Sequence, residues 1–401
     1  MQAEVVFNRL LTPQADKSIY LMRLSIPTPI DYRPGDWLMV SPKNPPALVE
    51  AVLRALGVSG DVCLHVRSAG QMPLAHALSD HLELSQVNPA VLNKLQRTLG
   101  TTERPRIWAD RAEMMAYAQN KDILDVIALL QAHAWLPQPE AVATQADAAS
   151  QALQLCQCLA PLSPRFYSIA SAPEAVGATQ VDVLYRQVVY THAQRVRYGV
   201  TSHGLSASQP GDCLTVEHNP NTHFKLPEDL PEAVTAQALD TAKMPVPGEI
   251  PIVMIGAGTG LAPFLGFLQK RFAQNHLSPD HQAWLFIGER DAQTTDLVSE
   301  CVPSSVLSAW QTQGLHLVKA YSQAVDDPAY VQDKVWAARD QIVALIDQGA
   351  WFYVCGSQEN LAGAVESCLC QILQSQGQSP DQAAETWRHW RKSKRVQMDV
   401  Y

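Results

Sequence analysis

Three short strings hold residue types that could do chemistry together. The first is IGAGTGLAPF (255–264), which follows an apolar run and precedes a helical pattern. Gly256, Gly258 and Gly260 let backbone amides approach a pyrophosphate, and a helix N-terminus behind them adds a favourable dipole. Pro263 falls in an early helical turn, where proline is tolerated. The spacing is GxGxG rather than GxGxxG, and a plain tight turn would use the same glycines. The second string is RFYSIAS (165–171). Arg165 can neutralise a diphosphate, Tyr167 can stack on a flat ring, and Ser168 can hydrogen-bond a ring nitrogen. An ordinary amphipathic strand would show the same alternation. The third, YVCGSQENLAGAVE (353–366), puts Cys355 at the C-terminal end of an apolar run. Doubly wound sheets bind ligands there, although a buried structural cysteine is the alternative.

These strings need elements to hold them. PIVMIG (251–256), AWLFIGE (283–289), LHLVKAY (315–321) and WFYVCG (351–356) are short apolar runs separated by helix-like stretches. That alternation predicts a parallel sheet with helices on both faces. Residues 1–55 and 157–230 are rich in β-branched and aromatic residues, with VDVLYRQVVY (181–190) the clearest strand. In YRPGD (32–36), the Pro34-Gly35 pair reads as a turn feeding a strand. Residues 56–156 are mostly helical in pattern. KDILDVIALLQAHAWL (121–136) spaces Ile123, Val126, Ile127 and Leu130 as one helix face, and VLNKLQRTL (91–99) and ALVEAVLRALG (47–57) behave alike. PQPEAVATQADAASQA (137–152) reads as a loose connection, and 231–249 as a proline-containing linker before a last domain over 250–401. The predicted class is α+β and multidomain: an antiparallel β-barrel with a helical insert, then a doubly wound α/β domain.

Composition excludes several alternatives. The chain has 401 residues, 47% hydrophobic and 17% charged, enough for two or three cored domains. A net charge of −9 argues against a general nucleic-acid binder. No apolar run reaches the ~18 residues of a membrane helix, and MQAEVVFNRLL lacks the pattern of a secretory signal. The eight cysteines form no CxxC pair, so no metal site is expected and a reduced, cytoplasmic setting is.

Taken together the strings resemble the ferredoxin–NADP reductase module of the diflavin reductases, most similar to the flavoprotein component of assimilatory sulfite reductase. The likeness runs through YRPGD (32–36), PLSPRFYSIAS (161–171), YGVTS (198–202), VEHNPNTHFKLP (216–227), IGAGTGLAPFLGFLQKR (255–271), YVQDK (330–334), FYVCG (352–356) and VQMDVY (396–401). It implies that 1–55 with 157–230 is an FAD-binding barrel and that 56–156 is a connecting insert. It also implies that 250–401 is a nucleotide domain whose tail covers the flavin. Arg165, Phe166, Tyr167 and Ser168 would bind FAD, with Gly199, Val200, Thr201 and Ser202 as a pyrophosphate loop. Gly258, Thr259, Gly260, Cys355 and Gly356 would face the nicotinamide dinucleotide. Ser168, Cys355, Asp399 and Tyr401 would surround the path of the transferred hydride, Tyr401 as a gate that swings away.

The sequence departs from this family in ways that shape the expected activity. The 401 residues contain no counterpart of the family's FMN domain. The expected activity is therefore FAD-dependent NAD(P)H oxidation with a separate acceptor: flavodoxin, or an FMN, haem or iron–sulfur subunit. A ferric or flavin reductase, or a subunit that binds FAD without nucleotide reactivity, is the alternative. The family's Ser-Arg and Lys-x-Tyr-x-Gln, which hold the NADPH 2′-phosphate, become YSQAVDDPAYVQ (321–332). Ser322, Tyr330 and Gln332 are kept, but Gln323 and Pro328 replace the two cations, with Asp326 and Asp327 alongside. NADH use, or indifference between the two nucleotides, is expected unless Lys334 or Arg290 substitutes. Leu265 stands where the family often has arginine. Finally, RHWRKSKR (388–395) holds five Lys or Arg in eight residues, either a solvated helix face or a docking patch for an acidic partner.

Overall fold

A computed structural model describes residues 1–14, 16–100, 106–138, 145–238 and 246–401. The chain forms two compact units, Met1–Met39 with Phe166–Arg186 and Ser208–Tyr401, and Val40–Arg165 with Gln187–Ala207.

The first unit carries two sheets. Its strands are β1 (Gln2–Leu10), β2 (Ile19–Ser25), β3 (Trp37–Val40), β6 (Arg165–Ser168), β7 (Gln180–Arg186) and β10 (Cys213–Asn219), ordered β6-β3-β10-β1-β2-β7. β1 pairs antiparallel with β2 and β10, and β2 with β7. The barrel expected here is not closed by a ladder. Among the described residues, the two ends of the sheet are joined by the isolated Ile169–Val183 bridge, with the Asp182 N–H donating to Ser171 Oγ beside it. Beyond it the chain turns into the helix Pro173–Val176, whose leading proline has no N–H for a ladder.

The other sheet contains β11 (Ile252–Ala257), β12 (Ala283–Glu289), β13 (Leu315–Tyr321), β14 (Trp351–Gly356) and β15 (Val396–Val400). Its order is β13-β12-β11-β14-β15, and every neighbouring pair is parallel. Alternate residues of β11 enter different cores. Ile252 and Met254 pack with Phe264, Phe267 and Leu268, whereas Val253 and Ile255 pack with Val365, Leu369 and Trp387. Both faces are thus covered, as the continuous apolar runs require. Four of the five strands match the predicted runs; β15 was visible only as a terminal motif.

The second unit is mainly helical, with β4 (Cys63–Val66) paired to β5 (Gly70–Pro73) and β8 (Val189–His192) paired to β9 (Arg195–Tyr198). The predicted helices at 47–57, 91–99 and 121–136 are Pro46–Leu56, Pro89–Leu99 and Ile123–Ala132. Asp122 and Asp125 form a capping box on the last of these, and Arg195 and Arg197 of β9 bind the same two carboxylates.

Three local expectations are corrected. VDVLYRQVVY is two strands, broken at Gln187 and Val188, where Ser202 Oγ accepts from the Val188 N–H. The connection read at 137–152 is helical from Gln145 to Cys156, because its Ala and Gln residues favour helix and Ala152, Leu155 and Cys156 are buried; 139–144 lie outside the described residues. The linker read at 231–249 includes the helix Glu232–Ala238, and its residues 239–245 also lie outside them.

One buried carboxylate ties the first unit together. Asp36, 2% exposed, accepts four bonds: from Lys225 Nζ and the Asn221 N–H at 2.7 Å, and from His218 Nε2 and the Arg33 N–H at 2.9 Å. Thus YRPGD folds around its own aspartate, and that aspartate gathers VEHNPNTHFKLP. Gly35 is obligatory at the turn: its φ is +89°, and a Cβ would lie 2.0 Å from the Phe224 carbonyl oxygen. Burial alone would raise the Asp36 carboxyl, but the His218 hydrogen bond and the Lys225 ammonium hold it down at about 2. The folded state therefore binds this proton less tightly than the unfolded chain, so the stabilisation is full above about pH 4 and is lost as pH falls toward 2. Asp36→Asn should cost about 3–5 kcal/mol at neutral pH by leaving Lys225 unpaired. Denaturant unfolding across pH should show the gap to wild type narrowing below pH ~4.

Candidate functional site

The candidate side chains of the first unit converge where β11 and β14 end. In this strand order the crevice outside the carboxyl ends, at the β11/β14 switch point, is where such sheets bind ligands. GTGL (258–261) forms a 3-10 turn leading into the helix Ala262–Ala273. This turn presses on β14: a Cβ at Gly260 would sit 2.1 Å from the Cys355 carbonyl oxygen, so only glycine fits. By contrast, nothing lies within 4 Å of a Cβ placed on Gly258, which leaves space for a ligand to approach the loop.

Cys355 and Asp399 are register partners on β14 and β15. Cys355 is 1% exposed, and burial, with the nearby Asp399 charge, pushes its thiol well above the ordinary range. Burial also pushes up the Asp399 carboxyl, while hydrogen bonds from Ser168 and Trp37 draw it back. Ser168 Oγ donates to Asp399 Oδ2 at 2.8 Å, so RFYSIAS and the terminal VQMDVY meet directly. Tyr401 continues β15: its N–H donates to the Gly356 carbonyl and its own carbonyl accepts from Gln358. Tyr401 as a whole is 65% exposed, with its hydroxyl 2.8 Å from Thr259 Oγ1. Tyr167 meets Tyr185 edge to face at 6.1 Å, and Phe166, exposed, meets Trp37 at 5.7 Å.

The tail is held by residues that the motifs alone did not single out. Gln397 clamps the backbone of Lys225, accepting from its N–H at 2.7 Å and donating to its carbonyl at 2.9 Å. Tyr353 Oη donates to the same carbonyl. Trp37 Nε1 donates to Asp399 Oδ2 at 3.3 Å. A glutamine in a terminal motif and a tryptophan after a turn carry no pattern that would reveal these roles.

The chain is similar to known proteins. The family described as Oxidoreductase NAD-binding domain matches residues 254–367. The sulfite reductase [NADPH] flavoprotein alpha-component of Neisseria meningitidis serogroup B is 31% identical across 100% of the chain and 60% of its own length. That of Serratia proteamaculans is 30% identical across 100% and 61%. That of Aliivibrio fischeri is 29% identical across 93% and 55%. The chain is thus similar, over nearly its whole length, to these sulfite reductase flavoprotein components, and its residues 254–367 match an oxidoreductase NAD-binding domain. It spans less than two thirds of the length of each of these relatives.

Other residues expected from the sequence fall elsewhere. Ser322 donates its N–H to the Glu289 carbonyl, and Gln323 donates to that of Arg290, fixing the loop after β13 to the end of β12. Gln323, Asp326, Asp327, Pro328 and Tyr330 are exposed, and Gln332 is half-buried. The two cations that could replace the missing ones both have partners: Lys334 pairs with Asp327 at 2.8 Å, and Arg290 with Asp16. Burial pushes the Glu289 carboxyl beneath this loop up to about 7. Leu265 is buried in the core with Phe264 and Leu268, a place where an arginine would need its own partner.

In the second unit, Gly199 opens the helix Val200–Ala207. Thr201, 4% exposed, has an Oγ1 with no described partner, whereas Ser202 Oγ is committed to the Gly199 carbonyl and the Val188 N–H. An unsatisfied hydroxyl at a helix N-terminus suits a phosphate oxygen. Arg165 donates to the Ser163 carbonyl and to Glu83, also in this unit.

The basic run splits by environment. Arg395 donates to the Ile346 and Ala350 carbonyls, and Lys394 to that of Thr222. Arg388, Arg391 and Lys392 are exposed on the last turns of the helix Pro380–Lys392, where the helix dipole favours cations. This helix ends where β15 begins, at the opposite end of the sheet from Cys355 and Tyr401.

Gly260→Ala should lower stability by about 1–3 kcal/mol, because the Cys355 carbonyl cannot move without shifting β14. Gly363→Ala, at an open helical position, should be neutral or slightly stabilising. Comparing the two denaturant midpoints checks whether the loop–strand contact is as tight as drawn.

Proposed function

We propose that this chain is an FAD-dependent NAD(P)H oxidoreductase that passes electrons to a separate acceptor such as flavodoxin or an FMN, haem or iron–sulfur subunit. The observation that carries the reading is the Ser168–Asp399 hydrogen bond beside Cys355, at the mouth of a glycine-rich nucleotide loop. A hydroxyl, a thiol and a carboxyl from three separate motifs have no packing reason to meet at a strand end. Further support comes from the orphaned Thr201 hydroxyl and from the open approach to Gly258. On this reading, 1–55 with 157–230 is the FAD-binding domain, 56–156 the connecting insert, 231–249 the linker and 250–401 the nucleotide domain.

FAD, when bound, accepts two electrons from the nicotinamide and can release them one at a time. The residues' tasks follow from their chemistry. Tyr167 would stack on the flavin ring, and Arg165 with residues 199–202 would meet its diphosphate. Ser168 would offer its hydroxyl proton where negative charge develops. Asp399 would balance positive charge on the nicotinamide, and the neutral Cys355 thiol would pack against it. Tyr401 would act as a gate. Its backbone is fixed by two hydrogen bonds, so opening needs only a side-chain swing and the loss of the Thr259 contact, about 1 kcal/mol.

For the nucleotide, we propose use of both NADH and NADPH. The loop after β13 presents Gln323 and Pro328 where the family has cations, with Asp326 and Asp327 alongside, although the relatives' names specify NADPH. Lys334 and Arg290 sit in surface pairs, which are weak enough for a phosphate to displace.

Anaerobic stopped-flow reduction of the FAD-loaded protein tests both points. Each nucleotide should bleach the flavin, with kcat/KM values within about tenfold of each other, since the two lost contacts would otherwise favour NADPH by about 10²-fold or more. Ser168→Ala should slow reduction by about 10²-fold with little change in nucleotide affinity. A preference for NADPH above 10²-fold would show that Lys334 or Arg290 restores the phosphate site. No reduction by either nucleotide would remove the enzymatic reading.

A further inference from the structure

Trp37 is in none of the expected residue sets, yet it touches the most distinctive pair in the molecule. It opens β3 and directly follows Asp36, whose four hydrogen bonds fix the backbone on its N-terminal side. On its far side, the Phe166 ring meets the indole edge to face at 5.7 Å. The indole is therefore held in place. Its Nε1 donates to Asp399 Oδ2, the oxygen that also takes the Ser168 hydroxyl. Both described donors share one oxygen, which leaves Asp399 Oδ1 without a described hydrogen bond.

We propose that Trp37 is a positioning residue: its indole N–H holds Asp399 by Oδ2, so that Oδ1 is left for the nicotinamide. The nicotinamide half of this statement rests on the function proposed above; the Trp37–Asp399 half does not. An indole N–H is a donor that never ionises, so it orients the carboxylate without adding a charge that would compete with a cationic ring. Serine cannot do this alone, because its hydroxyl is needed elsewhere during the reaction on the same reading. When Ser168 turns away, Trp37 still holds the carboxylate.

The groups facing Asp399 fix the direction of the effect. Ser168 on β6 and Trp37 on β3 donate to it, the Lys225 ammonium attracts it, and the Cys355 thiol on β14 and the Tyr401 phenol in the tail lie near it. Burial favours the protonated form, and the donors favour the carboxylate. Removing the indole N–H takes away one stabiliser of the carboxylate, so Asp399 should then lose its proton at higher pH.

The first arm of the test needs no nucleotide. In the full chain labelled with 15N-tryptophan, the Trp37 indole resonance is the one that Trp37→Phe removes. It should titrate above the ordinary aspartate value of about 4, and it should stop titrating in Asp399→Asn. A flat Trp37 resonance in wild type overturns the proposal. The second arm is the pH dependence of flavin reduction in the FAD-loaded protein. Trp37→Phe, which keeps a ring against Phe166, should move the acid limb upward by roughly half to one pH unit, with the rate restored toward wild type at high pH. An equal loss at every pH means that the indole only fills space, and that also overturns the proposal. If the wild type is not reduced at all, the function above fails, while the first arm still decides whether Trp37 and Asp399 are coupled.

Discussion

The arrangement of the first unit depends on a single buried carboxylate. Asp36 collects a turn, a β-strand end and an ammonium at one point, and Lys225 carries the connection onward. The Lys225 backbone is what Gln397 clamps, and two residues along β15 lies Asp399, bonded to Ser168. Asp36 is also sequence neighbour to Trp37 and accepts the Ile169 N–H on its own carbonyl. A carboxylate with four donors is worth keeping buried, whereas one with three would leave a charge under-solvated in a low-dielectric site. The geometry at the strand ends therefore inherits its precision from a group that does no chemistry.

A second constraint is how closely backbones approach. The parallel sheet brings the ends of β11 and β14 together, and the loop between β11 and its helix must fit against Cys355. The fit requires the absence of a side chain at Gly260. The helix that follows is locked from behind: Arg271, with no exposed surface, donates to the Ile250 carbonyl and pairs with Glu228. Gln269 accepts from the Ala172 N–H, close after RFYSIAS. The glycine-rich loop and the Ser168 strand are therefore not independent modules; the helix between them carries position from one to the other.

These facts explain what could be read from the sequence. The apolar runs of β11, β12, β13 and β14 are continuous because both faces are buried, so length and composition reveal them. β15 escapes that reading since it is an edge strand with only Val396 and Gln397 buried, and Gln397 is polar for the sake of its clamp. The pairing of Ser168 with Asp399 spans 231 positions and obeys no local period. Only a resemblance to a family could suggest it. Asp36 was legible as part of a turn motif, but its four partners come from segments that sequence spacing cannot bring together. In the second unit, the helices with strong apolar spacing were legible. Its short hairpin β4–β5 was not, because a strand of four residues with two inward positions has too little period to detect.

The charge pairs divide by burial in a way that matches their tasks. Asp36 with Lys225, and Glu228 with Arg271, are enclosed and multiply bonded, and removing either partner would strand a buried charge. Lys334 with Asp327, and Arg290 with Asp16, pair partly exposed cations with exposed carboxylates beside the loop after β13. Water competes for each of them, so they exchange partners at little cost. A fixed pair suits a junction that must not move. An exchangeable pair suits an edge that meets charged ligands, because its cation can leave one carboxylate for another anion without exposing a void. The same chain thus uses identical ion-pair chemistry for rigidity in one place and for adaptability in another, and burial alone selects which.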